Sequence, residues 1–253
     1  MRECRLLLAR TDKRLACGAG HSFDIARSGY INLLQPQDRK SKQPGDTTAA
    51  VAARRRLHDR GVTAPLLNSL QEMLAATAAD SILDAGCGEG FYSAGIARNR
   101  ACAAVGVDIS TAAIAGAARR YPECLWIAAN ADRAIPFADE TFSAVISITG
   151  RMNAPEFRRV LRTGGQLLVA IASPEDLIEL RGTGRDRVQR TVESFSDGFE
   201  LLAQSRATTI ADLDAAGVDD VLHSIYRPLQ PQAAQAMRLT FSLDLLLFRA
   251  CAS

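Results

Sequence analysis

Apolar residues return at roughly helical intervals between Thr47 and Ala75, through Val51, Leu57, Val62, Leu66, Leu67, Leu70 and Met73. Gly61 interrupts the run, so the pattern predicts two helices. After them the pattern changes. Short, nearly continuous apolar runs (SILDAG, AAVGVDIS, CLWIAA, FSAVISI, QLLVAIAS) alternate with FYSAGIARN, TAAIAGAARR and PEFRRVLRTGG. Strand and helix following one another in this way predict an α/β fold, a parallel sheet with helices on both faces. The end differs: DDVLHSIYRPL and MRLTFSLDLLLFRA predict two strands close together, finishing the sheet with an antiparallel, hairpin-like edge.

The beginning of the chain reads differently again. LACGAGHSFDIARSGYINLLQPQ suggests small strands and turns around Cys17 and His21, and polar DRKSKQPGD suggests an exposed connector. The expected divisions are a small β-rich module over residues 1–37, a connector with helices over 38–75, and the α/β domain over 76–253.

Composition narrows the class without naming it. With 47% hydrophobic and 23% charged residues in 253, the chain has ample material for a packed core. A net charge of +2 does not by itself point to a polyanionic partner, because clustering on one face is what binds such partners. The longest apolar runs are broken by Asp, Arg or Gly, so neither a signal peptide nor a membrane span is expected. Six cysteines without a framework of close pairs fit a reducing compartment, with cytoplasm as the default.

The chemistry concentrates at GCGEG, immediately after the first strand of the α/β region. Gly86, Gly88 and Gly90 let the backbone turn sharply and approach a ligand, and the next helix offers free N–H groups. Phe91 departs from the G-x-G-x-x-G dinucleotide fingerprint. Asp84 ends the strand, where a carboxylate repels a pyrophosphate and welcomes an amino group. Asp108 ends the next strand, where a carboxylate can accept from both ribose hydroxyls. A nucleoside carrying a cation fits best; the bland reading is a tight loop with a turn carboxylate.

These residues resemble the class I S-adenosylmethionine-dependent methyltransferases. The likeness extends through IAANADRAIPFADETFSAVIS and EFRRVLRTGGQLLVAIAS and covers residues 81–173 in the family's order. It implies a Rossmann-like, mostly parallel seven-stranded sheet with an antiparallel C-terminal edge. It also implies Asp84 near the methionine amino group, and Gly86, Gly88, Glu89 and Gly90 along the methionyl and ribose parts. Asp108 would hold the ribose diol with Ile109 beside it, and Asn130, Ala131 and Asp132 would flank adenine. Asp132 reads equally as a solvated loop acid.

The preceding segment resembles the bacterial large-subunit ribosomal RNA guanine-N1 methyltransferases, in which a zinc-binding module precedes the catalytic domain. Cys17, His21, Phe23, Asp24, the GYINLL stretch, Pro44 to Asp46, and Arg54 to Leu57 follow the family order. The resemblance implies Cys4, Cys17 and His21 as zinc ligands, with the family's first cysteine falling on Met1; unpaired thiols without metal are the alternative. Thr63 stands where the family has an aromatic residue after its ARR helix and is counted among the cofactor residues. TGRMNAPEF replaces a short YAP motif after the fourth strand.

The expected partner is ribosomal RNA, with a homodimer as one open assembly state and no membrane. Arg39, Lys40, Lys42, Arg54, Arg55, Arg56, Arg60, Arg181, Arg185, Arg187 and Arg190 are the cations expected to meet phosphate, or else solvated helix faces. Guanine N1 carries a proton that must leave, and Asp46 and Asp176 are the candidate bases, each otherwise a helix N-cap. The rival functions are methyl transfer to a small molecule and cofactor binding without catalysis.

Overall fold

The computed structural model describes residues 4, 6–35, 44–75, 79–150, 152–225 and 234–252. Three short strands open the chain: β1 (Ala9–Thr11), β2 (Arg14–Ala16) and β3 (Ser22–Asp24), joined in one antiparallel sheet in that order. Then come β4 (Ile31–Asn32), α1 (Thr48–Asp59) and α2 (Ala64–Met73). Thr47 caps α1 by accepting from the Ala50 N–H at 3.2 Å, and Pro65 sits in the first turn of α2, where its missing N–H costs nothing.

The α/β region runs β5 (Ser81–Ala85), α3 (Phe91–Arg100), β6 (Ala103–Asp108), α4 (Thr111–Arg120), β7 (Leu125–Ala128) and β8 (Phe142–Ile148). It continues through α5 (Ala154–Val160), β9 (Leu161–Ala172), α6 (Ile178–Arg181), α7 (Val188–Phe195), β10 (Phe199–Leu213), α8 (Ala215–Ser224) and β11 (Met237–Ala250). The large sheet has the order β10-β11-β9-β8-β5-β6-β7-β4. From β9 to β4 it is parallel, as the apolar runs predict, and β11 and β10 are antiparallel additions.

Continuous apolar strands arise because both faces are covered. Leu83, Val145, Val169, Leu246 and Phe248 face one layer, which includes Phe157 of α5 and Phe195 of α7. Their neighbours Ile82, Ile146, Leu168, Leu245 and Leu247 face the other, with Leu70 of α2 and Ile96 of α3. The chain leaves β5 toward β6 and β7, then crosses to β8 and β9 on the other side. The order thus reverses between β5 and β8, the place where an open α/β sheet forms a crevice at its strand tips.

Three expectations change. DDVLHS, expected as a strand, is α8: Asp214 caps it by accepting from Gly217 N–H at 2.8 Å, and Val218 and Val221 share its buried face. The antiparallel partner of β11 is β10, whose apolar signal is diluted because most of its residues are exposed. The sheet also has eight strands where seven were expected, because β4 adds to the β7 edge, pairing Ile31 with Ile127 and Asn32 with Ala128. Ile31 and Leu33 enter the same core as Leu83. Among the described residues no helix is long and apolar enough to cross a membrane.

Candidate functional site

The crevice begins where β5 ends. Gly86, Gly88 and Gly90 all have left-handed backbones, with φ of 92°, 54° and 80°. Gly90 is required twice over. A Cβ there would lie 2.2 Å from the ring of Trp126, which is fully buried beneath the loop and donates its indole N–H to the Tyr121 carbonyl. Gly88 faces the other way: a Cβ on it would meet only Arg54 Nη1, at 3.7 Å. The loop therefore has a packed floor and a side-chain-free roof.

Two carboxylates stand at the adjoining strand tips. Asp84 is 2% exposed, its Oδ2 accepting from Ser93 Oγ while its Oδ1 is buried with no hydrogen-bond partner among the described residues. Burial raises its pKa to about 7; the Asp108 charge adds to this and the Ser93 bond opposes it. Asp108 accepts from the Gly88 N–H at 2.9 Å and the Ser110 N–H at 2.7 Å. Burial raises its pKa too, against those two backbone bonds, with the Asp46 charge adding and Arg54 opposing. Both acids are held in surroundings that a cation would relieve.

Helix α1 carries three consecutive arginines, of which Arg54 reaches the loop beside Gly88. Arg54 donates from Nη1 to Asp46 at 2.5 Å and from Nη2 to the Ser224 carbonyl at 3.0 Å. Arg55 Nε donates to Glu89 at 2.7 Å, and Arg56 pairs with Asp220 of α8 at 2.8 Å. Arg60 donates to Asp214 at 3.0 Å. These four cations, expected to meet phosphate, are thus engaged inside the molecule; Arg39, Lys40 and Lys42 lie outside the described residues.

Glu89 is buried, and among the described residues its Oε1 has no hydrogen-bond partner. His58 Nε2 stands 3.9 Å from that oxygen, but the pair is not ionic. Burial, with the charges of Arg54 and Arg120, lowers the His58 pKa to about 3, so the ring is neutral. It stacks on Phe91, ring centroids 4.1 Å apart, and its Nδ1 bonds Thr63 Oγ1 at 2.6 Å. Thr63 is therefore placed against His58, with Tyr92 as a second hydrogen-bond partner.

On the β7 side, Asn130 Oδ1 accepts from the Asp132 N–H at 3.1 Å. Asn153, which caps α5, donates to the carbonyls of Ala131 and Asp132 at 3.1 and 3.0 Å and so fixes this turn. At the β8 tip, Thr149 adopts φ 51°, an unusual conformation for a β-branched residue. Gly150 follows, its Cα 3.7 Å from where a Cβ on Gly86 would stand, so the two loops form one wall. Sequence reading passes over His58, Ser93 and Thr149, which carry no motif.

The candidate bases are placed unequally. Asp46 lies beside the β6 tip, its carbonyl accepting from Ser110 Oγ at 2.8 Å and its carboxylate engaged by Arg54. Asp176 lies beyond β9, with Oδ1 accepting from the Ser242 N–H at 3.0 Å and Arg181 at 3.8 Å from Oδ2; burial raises its pKa. Neither is an N-cap: Thr47 caps α1, and α6 begins after Leu177.

At the far N-terminal end, the Cys17 thiol lies 3.8 Å from Cys4 Sγ and 3.3 Å from His21 Nδ1, all three donor atoms within 4.8 Å of one another. Burial opposes ionisation of Cys17, but hydrogen bonds from His21, Ala19 and Cys4 outweigh it and bring the thiol to about 7. Thiolate and imidazole are zinc's ordinary structural ligands, so the residues present fit three of its four positions. Met1, where the fourth was expected, lies outside the described residues.

Comparison with known proteins accords with this layout. A family model described as a methyltransferase domain matches residues 82–168, and a zinc-ribbon model described as RlmA, N-terminal, matches residues 4–42. A solved methyltransferase from Bacillus halodurans superposes with a TM-score of 0.53 at 18% identity, over 74% of this chain and 99% of that one, a likeness of fold. The 23S rRNA (guanine(748)-N(1))-methyltransferase of Streptomyces fradiae is 35% identical over 84% of this chain and 79% of its own length. A Micromonospora griseorubida protein named for 23S rRNA guanine-N1 methylation is 34% identical over 78% of this chain and 74% of its own. Zinc-ligand cluster, glycine loop and acid pair thus occur here in one chain and one order, and that chain belongs to the 23S rRNA (guanine-N1)-methyltransferase family.

Proposed function

We propose that this chain transfers a methyl group from S-adenosylmethionine to N1 of a guanine in 23S ribosomal RNA. The observation that carries the reading is the orphaned Asp84 Oδ1, buried beside Asp108 under a side-chain-free loop. A buried carboxylate oxygen without a donor costs free energy that an incoming ammonium group would recover. Gly88 leaves room for the chain of the methionyl part, Asp108 has the position for a ribose diol, and the turn at Asn130, Ala131 and Asp132 has that for adenine. When bound, the cofactor supplies an electrophilic sulfonium methyl.

The residues of this chain orient the reactants and take up a proton. Guanine N1 is protonated at neutral pH and must be exposed from any base pair before it reacts. Of the two carboxylates, Asp176 has the surroundings of an acceptor, because burial raises its affinity for protons while Asp46 is committed to Arg54. Arg185, Arg187 and Arg190 lie exposed beyond the tip of β9, at the same end of the sheet as the acid pair, and serve as phosphate contacts.

Incubation with 23S rRNA and methyl-labelled cofactor, followed by nucleoside mass spectrometry, tests the reading. The expected product is 1-methylguanosine at one position, lost in Asp84→Asn. Label in another nucleoside, or none in RNA alongside cofactor binding, overturns it.

A further inference from the structure

Arg54 has a place in the crevice that its membership of an arginine run does not foretell. It enters from α1, and its Nη1 faces Gly88, the one loop glycine whose missing side chain opens toward it. Its charge acts on Asp108, His58 and Tyr92, so it stands among the groups that line the acid pair. The neighbouring cations are committed elsewhere: Arg55 to Glu89, Arg56 to Asp220 and Arg120 to Asp59.

We infer that Arg54 is the group that recognises the α-carboxylate of the cofactor, held ready for it by Asp46 and the Ser224 carbonyl. The inference rests on the reading that the crevice takes S-adenosylmethionine. An amino acid end presents an ammonium and a carboxylate on the same carbon. Asp84 suits the first, but the acids that attract the ammonium repel the carboxylate unless a cation stands within a few ångströms. A guanidinium has five N–H donors in a planar fork, a geometry matched to carboxylate. Asp46 and Ser224 take one donor each, and among the described residues Nε–H and the second hydrogens of both Nη atoms have no acceptor. Asp46 thereby acts as a positioning residue: it aims the fork, and it comes from the connector preceding α1.

The test is a calorimetric comparison of three ligands: S-adenosylmethionine, its decarboxylated analogue, and 5′-methylthioadenosine, which lacks the amino acid. Wild type should prefer the intact compound over the decarboxylated one by about 10- to 100-fold, the range of a charge-assisted pair. In Arg54→Met the preference should collapse to within about threefold while methylthioadenosine binding is unchanged. Arg54→Lys, which keeps the cation without the fork, should retain part of the preference and guards against a variant that fails to fold. The assignment is overturned if Arg54→Met keeps the preference, or if it weakens all three ligands equally, as a structural role would. Failure of wild type to bind any of the three would instead overturn the cofactor reading, and this assignment with it.

Discussion

The crevice and the N-terminal module solve the problem of placing polar groups in opposite ways. At the crevice, the position of each acid is dictated by a packed interior: β5 is buried along nearly its whole length, Trp126 floors the loop, and backbone N–H groups fix Asp108. The sheet of β1, β2 and β3 has almost no interior of its own. Among its nine strand residues only Phe23 is buried. It is held by docking through Ile31 and Leu33 and by the cluster of Cys4, Cys17 and His21. Sites built on a core tolerate little change in their supports, whereas a site built by ligands depends on the ligands themselves.

That contrast can be broken most forcefully at the loop. Gly90→Val places a branched side chain in a left-handed backbone and against the Trp126 ring, at a cost on the order of 5 kcal/mol. Denaturant unfolding should show most of the chain's stability lost.

Asp84→Asn should give the next largest change, with a sign that depends on pH. The folded chain holds the Asp84 proton up to about 7, whereas an unfolded chain releases it near its ordinary value of about 4. Stability therefore falls as pH rises between those values and is level above, by on the order of 4 kcal/mol. Asn abolishes that slope, so the variant should be more stable than wild type above pH about 7. Its affinity for S-adenosylmethionine should drop by about 10- to 100-fold, read by calorimetry. A variant whose unfolding free energy still falls with pH would show that another group titrates there.

The module should respond to a different perturbation. Cys17→Ser removes one of three clustered donors, and after incubation with zinc, plasma emission spectrometry should show less metal retained than by wild type. Hydrogen exchange should quicken over residues 6–25, while cofactor affinity shifts by less than about threefold. Equal loss at both places would mean that the two regions are one cooperative unit.

The smallest effect belongs to the exposed rim. Arg187→Ala should weaken RNA binding only a few-fold and lower the dependence of log affinity on log salt by about 1, with cofactor binding unchanged.

What could be read in the sequence follows from how local its cause is. Asp84, Asp108 and the glycines were legible because a buried strand, a turn and a helix are written in consecutive residues. The partnership of Arg54 with Ser224 spans 170 positions, and nothing in ARRR distinguishes an arginine turned inward from one facing water. β10 leaves no apolar signal in the sequence because an exposed edge strand needs no alternating apolar face. DDVLHS reads as a strand because Val221 and Leu222 form a short apolar run, whereas the aspartate that caps the helix, Asp214, lies before that stretch. The Cys4, Cys17 and His21 cluster was visible in spacing, whereas the parallel pairing of β4 with β7 depends on two residues meeting a strand more than 90 positions away.

That last pairing limits how the protein can be shortened. The Leu33 N–H bonds the Ala128 carbonyl at 2.9 Å, so residues 31–33 act as a selvedge sewn along β7. A chain trimmed to its α/β domain would lose more than the small N-terminal sheet. It would bare a row of amide and carbonyl groups beside the turn that holds Asn130, an open template on which another chain could crystallise its own backbone, and aggregation rather than lowered specificity would be the first symptom.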